Sequence, residues 1–229
     1  MTVQNVLDEQ LAWALAGLER KSTKKDRDNL VRFGIAATNP LGVSMANIQR
    51  LTKQLSRNHA LAAALWETNI YEARLLTAFV DEPARVTSAQ MDRWCREFDN
   101  WGVVDTLCFK LFDQTPHAWD KVSKWASKQG AWEKRAAFAL LASLAGHDKS
   151  AGDDKFIRGL ELVEREATDE RNFVKKGVSW ALRMVGRRNA ALNVRALALA
   201  RRLSESADPT ARWMGKDALR DFTRAAARR

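Results

Sequence analysis

The sequence predicts an all-α protein on three observations. Only four of the 229 residues are proline. The β-branched residues form no alternating run long enough for a sheet, whereas Ala, Leu, Lys, Arg and Glu dominate throughout. Segments with the same helical pattern also recur along the chain. Because 46% of the residues are hydrophobic, the chain is able to bury a substantial core, which excludes intrinsic disorder.

Turn and N-cap signals divide the chain into helical segments of roughly 10 to 18 residues, about a dozen in all. In chain order, the signals are Asp81-Glu82-Pro83, Asp99-Asn100, Thr115-Pro116, Gln129-Gly130, the stretch 147–154, Thr168-Asp169, Arg188-Asn189 and Asp208-Pro209. The longest polar stretch, residues 146–154, is interpreted as a loop between helix pairs rather than a domain boundary. Residues 1–229 are therefore predicted to form a single domain.

Several of the helical segments share one pattern. Residues 132–140, 173–182 and 213–219 each carry a basic residue among small and apolar side chains, and an earlier segment, 72–79, has a similar stripe. The basic residue recurs after 41 and then 40 positions, at Arg135, Lys176 and Lys216. A period of roughly 30 to 45 residues with two helices per unit is the mark of an α-solenoid.

An α-solenoid aligns its inner helices along one concave surface. If Arg135, Lys176 and Lys216 hold equivalent positions, they form a ladder of positive charge that suits a curved, charged rod such as duplex DNA. The other interpretation is that they lie on solvated helix faces and make i, i+4 pairs with carboxylates. The sequence thus predicts an α-solenoid of about a dozen helices with a concave basic face.

The charge balance indicates a polyanionic partner. Lys and Arg number 38 against 28 Asp and Glu, which gives a formal net charge of +10, and nucleic acid is the leading candidate. Two cysteines, Cys95 and Cys108, are too few for a disulfide framework and are interpreted as packing residues. The three histidines have no carboxylate or thiol at ligand spacing, so no metal site is expected.

The sequence contains no recognisable leader or membrane-spanning segment. Its first residues include no basic region followed by an apolar stretch, and no uninterrupted apolar run reaches about 18 residues. We therefore expect a soluble, cytoplasmic protein that contacts no membrane.

The segment around Trp101 is dense in aromatic and acidic side chains. Asp99 or Asn100 is able to cap a helix that begins near Trp101, and Asp105 follows one turn later on the same face. A carboxylate that faces DNA is unfavourable unless a cationic group comes near it. The structural alternative is that Asp105 pairs with Arg135 of the next repeat while Trp101 packs in the core.

Three segments carry a resemblance to a known family. They are FDNWGVVD at 98–105, KRAAF at 134–138 and FVKKGVSWALR at 173–183. Their order and repeat register resemble the DNA alkylation repair family, the AlkD-like glycosylases built from HEAT-like repeats, over most of the chain. The resemblance implies a single HEAT-like repeat domain over residues 1–229. It also implies a monofunctional DNA glycosylase of base excision repair that needs neither metal nor cofactor.

The resemblance also implies roles for particular residues. Asp105, Trp101 and Trp180 match the catalytic cleft of the family, and Arg135 matches the arginine beside it. The residues expected to bind DNA phosphates are Arg135, Lys176, Arg183 and Lys216. Such contacts contribute an affinity that falls with salt and carries no sequence information. The expected partner is double-stranded DNA that contains alkylated purines.

The implied substrates, 3-methyladenine and 7-methylguanine, need no general acid. A purine alkylated at N3 or N7 carries a positive charge and departs as a neutral base. The remaining cost is the oxocarbenium character of the deoxyribose, which a carboxylate at Asp105 is expected to stabilise. The indoles of Trp101 and Trp180 are expected to favour a cationic nucleotide. The sequence shows no pocket motif or wedge loop, and the resemblance implies a cleft that grips the backbone and releases the base without flipping it.

The rival hypothesis is a non-catalytic HEAT-like solenoid that binds nucleic acid or an acidic protein partner. In that case Asp105 serves only as a structural partner of Arg135. Under both hypotheses the protein is expected to be a monomer. We also expect it to be an intracellular protein of bacterial type that associates with the nucleoid. Packing between helices is predicted for six other tryptophans, namely Trp66, Trp94, Trp119, Trp125, Trp132 and Trp213. Phosphate contact or a solvated face is predicted for Lys175, Arg187 and Arg188.

Overall fold

The structure, a computed structural model, describes residues 2–226. Over these residues it contains thirteen α-helices, one short 3-10 helix and no strand, which confirms the predicted all-α class. The helices are α1 (Val3–Glu19), α2 (Lys24–Arg32), α3 (Met45–Thr52), α4 (His59–Glu67), α5 (Tyr71–Val80), α6 (Ser88–Arg96), α7 (Trp101–Lys110), α8 (Ala118–Ala126), α9 (Ala131–His147), α10 (Asp153–Arg165), α11 (Asn172–Gly186), α12 (Ala190–Ser204) and α13 (Pro209–Ala226). The 3-10 helix covers Phe112–Gln114, between α7 and α8.

The helix boundaries follow local capping chemistry. All eight predicted turn signals fall at or between helix ends, and Pro209 is the first residue of α13, where its missing N–H costs no hydrogen bond. A side-chain oxygen accepts a hydrogen bond from a backbone N–H at the start of eight described helices. These capping residues are Thr2, Thr23, Ser44, Asn58, Thr87, Asn100, Asn189 and Asp208.

The chain divides into two compact units, residues 1–116 and 117–229. In the first unit, α5 packs against α3, α4 and α7, while α1 packs against α3, α4 and α5. In the second unit, α9, α11 and α13 pack in succession, and α8, α10 and α12 form a second row that packs on them. Each unit therefore stacks its helices in layers, as an α-solenoid does. The single domain over residues 1–229 stays a prediction.

The predicted repeat period is visible in the starting points of the odd-numbered helices. Helices α5, α7, α9, α11 and α13 begin at residues 71, 101, 131, 172 and 209, steps of 30, 30, 41 and 37. Arg135 and Lys176 are each the fifth residue of their helix, as the equivalence of these two positions requires. Lys216 is the eighth residue of α13, almost one helical turn further along than that position.

Aromatic side chains fill much of the core of the first unit. The rings of Trp66 and Trp94 stack with centroids 4.5 Å apart, and both side chains are fully buried. The guanidinium of Arg74 lies over the Trp66 ring, and its Nη2 atom pairs with the carboxylate of Glu97 at 3.1 Å. The predicted packing roles of Trp66 and Trp94 are therefore confirmed.

In the second unit, α9 is the central helix, and every residue from 134 to 145 is buried. Trp125 is likewise buried, as predicted. Cys95 and Cys108 of the first unit are buried free thiols, in agreement with their assignment as packing residues. No helix within residues 2–226 combines the length and apolar character needed to cross a membrane.

Candidate functional site

The first residues of α7 bring the predicted indole and carboxylate together. The buried Asn100 caps this helix by accepting a hydrogen bond from the backbone N–H of Val103 at 3.0 Å. Trp101 is the first residue of α7, and Asp105 lies four residues further on the same face. Both residues are partly exposed. The shared edge predicted for Trp101 and Asp105 is therefore present.

The indole of Trp101 is held by a backbone carbonyl from a distant segment. Its Nε1–H donates to the carbonyl oxygen of Phe33 at 3.1 Å. The same segment is attached to the start of α7 by Asp99, whose carboxylate accepts hydrogen bonds from the backbone N–H and the hydroxyl of Thr38. The indole N–H of Trp101 is therefore directed at the Phe33 carbonyl, in a segment that Asp99 also holds.

Glu72 holds the other end of this segment, which we call the 33–43 segment. Its carboxylate is fully buried and accepts hydrogen bonds from the backbone N–H groups of Leu41, Gly42 and Val43, at 2.8, 2.8 and 3.1 Å. Gly42 has a φ of +86°, and a Cβ atom there would lie 2.5 Å from the carbonyl oxygen of Thr23. The backbone therefore turns tightly enough for one carboxylate to receive three amides.

Replacing Glu72 with glutamine is expected to lower the free energy of unfolding by about 1.5–3 kcal/mol, since hydrogen bonds to a charged, buried acceptor are lost. A glutamine amide nitrogen cannot accept the N–H of Leu41, which becomes unsatisfied. Urea unfolding followed by circular dichroism measures the change. Glu67→Gln is the control, because Glu67 is exposed and makes a surface ion pair with Arg93. Equal stability of the two variants would contradict the anchoring role of Glu72.

Tyr71 is a residue of this region to which the sequence reasoning gave no role. Tyr71 is the first residue of α5, just as Trp101 is the first residue of α7, and the two positions are 30 residues apart. The Tyr71 side chain is buried. A Cβ atom at Gly102 would lie 2.6 Å from the Tyr71 hydroxyl, so glycine permits this approach. Burial, with the nearby carboxylates of Glu72 and Asp99, raises the pKa of the Tyr71 hydroxyl. The hydroxyl therefore remains protonated and available as a hydrogen-bond donor.

In the second unit, Arg135 is buried and held by the start of the next helix in its row. Its Nη1 donates to the carbonyl oxygen of Phe173 at 2.8 Å, and the ring of Trp132 lies 5.0 Å from that of Phe173. A Cβ atom at Gly177 of α11 would lie 3.5 Å from the Cγ atom of Arg135, so α11 packs directly against this residue. Arg135 is thus a positioned cation rather than a mobile surface charge.

Lys134, the neighbour of Arg135, is the centre of a partly buried ionic cluster. Its ammonium pairs with the carboxylates of Glu166 and Asp169. Hydrogen bonding to Arg171 lowers the pKa of Asp169, against the opposing effect of burial. Arg171 also donates to the carbonyl oxygen of Gln129 at 2.6 Å. The cluster ties the loop before α11 to the loop before α9, which fixes the end of the helix that carries Arg135.

The other predicted site residues of the second unit differ in their surroundings. On α11, Lys176 and Arg183 lie four residues before and three residues after Trp180, so the three share one face, with Lys176 exposed and Trp180 partly exposed. The guanidinium of Arg183 is paired with Asp217 of α13 and also donates to the hydroxyl of Ser179 at 2.7 Å. Its positive charge is therefore largely compensated.

Lys216 of α13 is exposed, which leaves its ammonium accessible to a phosphate. Two further cations with proposed phosphate contacts have protein partners. Arg187 pairs with Asp221, and Arg188 donates to the carbonyl oxygens of Ala145 and Ala151. The sequence analysis gave no role to Asp217 and Asp221. These two carboxylates are four residues apart, as are Arg183 and Arg187, and this equal spacing could have indicated the two ion pairs.

The predicted site residues belong to both units of the chain. Trp101 and Asp105 lie in the first unit, whereas Arg135, Lys176, Trp180, Arg183 and Lys216 lie in the second. Within residues 2–226, no three His, Cys, Asp or Glu side chains are grouped so that they could hold a metal ion.

A family model described as "DNA alkylation repair enzyme" matches residues 14–222, nearly the whole chain. The chain belongs to the DNA alkylation repair enzyme family. The resemblance carried by residues 98–105, 134–138 and 173–183 is therefore confirmed at the level of the family. All three segments of this family member lie inside the matched range.

A solved structure supports the fold of this DNA alkylation repair family member. It is described as belonging to a new family of proteins related to the HEAT-like repeat DNA glycosylases, with affinity for branched DNA structures. It matches with a TM-score of 0.73 at 20% sequence identity, over 88% of this chain and 83% of its own. The prediction of a solenoid of HEAT-like repeats is thereby confirmed. No curated protein matches the sequence significantly.

Proposed function

We propose that the protein is a DNA glycosylase that hydrolyses the N-glycosidic bond of cationic alkylated purines in double-stranded DNA. The observation that carries the proposal is the pair formed by Trp101 and Asp105 on one face of α7. The ring of Trp101 is oriented by the carbonyl oxygen of Phe33, and the carboxylate follows one turn later. Membership of the DNA alkylation repair enzyme family supports the same chemistry.

In this proposal, Asp105 stabilises the deoxyribose as positive charge develops on it. A purine alkylated at N3 or N7 leaves as a neutral base, so no acid has to protonate it. A carboxylate that is already positioned near the sugar lowers the energy of the charged transition state without reorganising during the reaction. Water then adds to the anomeric carbon and releases one proton to the solvent, which leaves the neutral free base and an abasic site.

The indoles of Trp101 and Trp180 have a second role in the proposal. The face of an indole attracts a cation by roughly 0.5–2 kcal/mol, whereas a neutral base receives no such stabilisation. Both side chains are partly exposed. The two tryptophans therefore favour charged lesions over neutral ones such as uracil. Release without base flipping remains part of the proposal and requires that bulky cationic N7 adducts are excised as well as methyl adducts.

Phosphate binding is assigned to Arg135, Lys176, Arg183 and Lys216, with different expected contributions. Lys176 and Lys216 are exposed, so each is free to neutralise a phosphate and to release a counterion. Arg135 is buried and already oriented by the carbonyl oxygen of Phe173. Arg183 must share its charge with Asp217, so its contribution is expected to be the smallest.

The experiment that tests the proposal compares charged and neutral lesions in otherwise identical duplexes. The wild-type protein is incubated in excess with duplexes that contain N7-methylguanine, 3-methyladenine, hypoxanthine or uracil. Free base is then quantified by mass spectrometry. We expect release of the two cationic bases and retention of the two neutral ones. Absence of release from both cationic duplexes, with a protein that is folded and binds DNA, would contradict the proposal.

A second candidate function is binding of branched DNA without catalysis. The observation that favours it is the similar solved structure, whose description names affinity for branched DNA structures. Electrophoretic mobility shifts with a four-way junction and a linear duplex of equal length separate the candidates. Preference for the junction together with no base release would support this second function instead.

A further inference from the structure

A partly exposed tryptophan lies where α11 and α13 pack against each other. Trp213 of α13 has the ammonium of Lys175 of α11 5.3 Å from the centre of its ring. On α13 itself, Trp213, Lys216, Leu219 and Arg220 line a surface groove. The sequence pattern assigned Trp213 to packing between helices. The structure instead leaves part of its ring at the surface, among cations.

The charges along α11 and α13 are not distributed evenly. Arg183 pairs with Asp217 and Arg187 pairs with Asp221, so the carboxylates of α13 compensate the arginines of α11. The cations around Trp213 are not compensated in this way, because neither Lys175 nor Lys216 forms an ion pair within the described part of the chain. Positive charge that is not compensated is therefore concentrated beside the exposed indole.

Trp119 of the same unit is a tryptophan whose contacts are explained by packing and hydrogen bonding within the protein. Trp119 donates its indole N–H to Asp148 at 3.0 Å and packs edge-on against Phe156 at 5.0 Å. The ammonium of Lys155 lies 5.2 Å from the centre of the Trp119 ring, and that of Lys175 lies at the similar distance of 5.3 Å from the centre of the Trp213 ring. Trp213 has neither an aromatic neighbour nor a hydrogen-bond acceptor for its indole N–H among the described residues. Packing alone does not account for its surroundings.

We propose that Trp213 and the cations beside it form a binding site for an unpaired nucleotide of single-stranded DNA. The base stacks on the indole, and the flanking phosphates contact Lys175 and Lys216. An aromatic platform beside backbone-binding cations is the arrangement by which proteins hold single strands without sequence preference. Paired bases offer no free face to an indole, so this contact discriminates between single strands and duplex. The site shares Lys216 with the phosphate contacts of the proposed glycosylase function, but it does not require base release.

The lysine over the ring is compatible with a stacked base. Lys175 has a long, flexible side chain, and the cation–π attraction of an exposed lysine is weaker than the stacking of a nucleobase on an aromatic ring. An incoming base can therefore displace the ammonium from the ring, and a phosphate one nucleotide away is a stronger partner for it. Leu219 extends the apolar floor of the groove next to the indole.

The test measures binding of a fluorescein-labelled ten-residue oligothymidylate by fluorescence anisotropy. Trp213→Leu is expected to weaken binding by about five- to 150-fold, the effect of removing a stacking aromatic residue. Trp213→Phe keeps an aromatic face and is expected to retain most of the affinity. Trp119→Leu is the matched control, since it removes another lysine-flanked indole, and it is expected to bind as the wild type does. Thermal unfolding of all variants verifies that they are folded.

Charge variants test the second half of the site without altering the core. Lys175→Ala and Lys216→Ala are each expected to reduce the slope of log affinity against log salt by about 0.7, the value for one phosphate contact on a single strand. Replacing thymidine by 5-iodouracil near the middle of the strand is expected to yield a photo-crosslink to a peptide that contains Trp213. Binding needs no base release, so the result is independent of the glycosylase activity.

Three outcomes would overturn the proposal. A Trp213→Leu variant that binds the oligothymidylate as tightly as the wild type would show that no base stacks there. A crosslink that maps outside both residues 209–220 and the turn of α11 around Lys175 would place the strand elsewhere. Tighter Trp213-dependent binding of oligouridylate or polyglutamate than of oligothymidylate would assign the groove to RNA or to an acidic protein.

Discussion

Replacement of Asp105 by asparagine is expected to reduce the rate of N7-methylguanine release by about 100- to 1000-fold, the usual cost of removing one preorganised electrostatic group. Asparagine has the same shape but no negative charge, so it cannot compensate the developing oxocarbenium ion. The rate is measured under single-turnover conditions, by alkaline cleavage of the abasic product. Because the charge acts in the transition state, duplex affinity is expected to change little.

Asp120→Asn is the control for the loss of one negative charge. Asp120 lies on α8 in an exposed position, so this variant is expected to release base at the wild-type rate. The alternative, a structural role for Asp105, makes a different prediction. In that case the Asp105→Asn protein would unfold at a lower temperature, and its rate would fall only in proportion to the folded fraction. A folded Asp105→Asn protein with wild-type activity would exclude the carboxylate as the catalytic group.

Replacement of Gly215 by alanine is expected to lower the free energy of unfolding by about 3 kcal/mol or more, at the upper end of the cost of overpacking. Gly215 lies in α13 where this helix crosses the end of α12, and it is buried. A Cβ atom at this position would overlap the backbone nitrogen of Ser204 and would lie 2.5 Å from the carbonyl oxygen of Ala200. Backbone atoms cannot move aside as a side chain does, so the two helices must separate.

Gly146→Ala provides the matched control for Gly215→Ala. Gly146 is also inside a helix, α9, but an added Cβ atom would meet only the Cε atom of Met184 at 3.5 Å, an ordinary contact. Since alanine favours the helix over glycine, this variant is expected to gain about 0.4–1 kcal/mol. Urea unfolding compares the two proteins. If both substitutions shift the urea concentration at the unfolding midpoint in the same direction, the result would contradict the close crossing of α12 and α13.

The sequence was most informative where structure depends on near neighbours. Asn100 was one of two candidates for the cap of α7, and its side chain accepts the Val103 N–H. The spacing of Trp101 and Asp105 predicted a shared helix face correctly, because four residues make about one turn whatever surrounds the helix. The equivalence of Arg135 and Lys176 was predicted from their separation and agrees with their positions in α9 and α11.

The sequence was less informative about the surroundings of the same side chains. Trp213 was assigned to packing along with Trp66, yet it is partly exposed whereas Trp66 is fully buried. Arg183 was expected to face phosphates, but Asp217 compensates its charge. Tyr71 was not singled out, although it precedes Trp101 by one 30-residue step and its hydroxyl closely approaches Gly102. Amphipathic spacing specifies which face a residue occupies, but not what lies opposite that face.

Helical class and the helix boundaries after residue 80 could thus be predicted from the amino-acid order alone, because capping and backbone hydrogen bonding act within a few residues. The repeat period and the resemblance to the family could also be recognised from the order of the residues. The orientation of Trp101, the anchoring of the 33–43 segment by Glu72 and the compensation of Arg183 became known from the folded chain. Each depends on groups brought together from distant positions, such as the Phe33 carbonyl, 68 residues before Trp101. Contacts of this kind arise from the packing of whole helices, which no local pattern encodes.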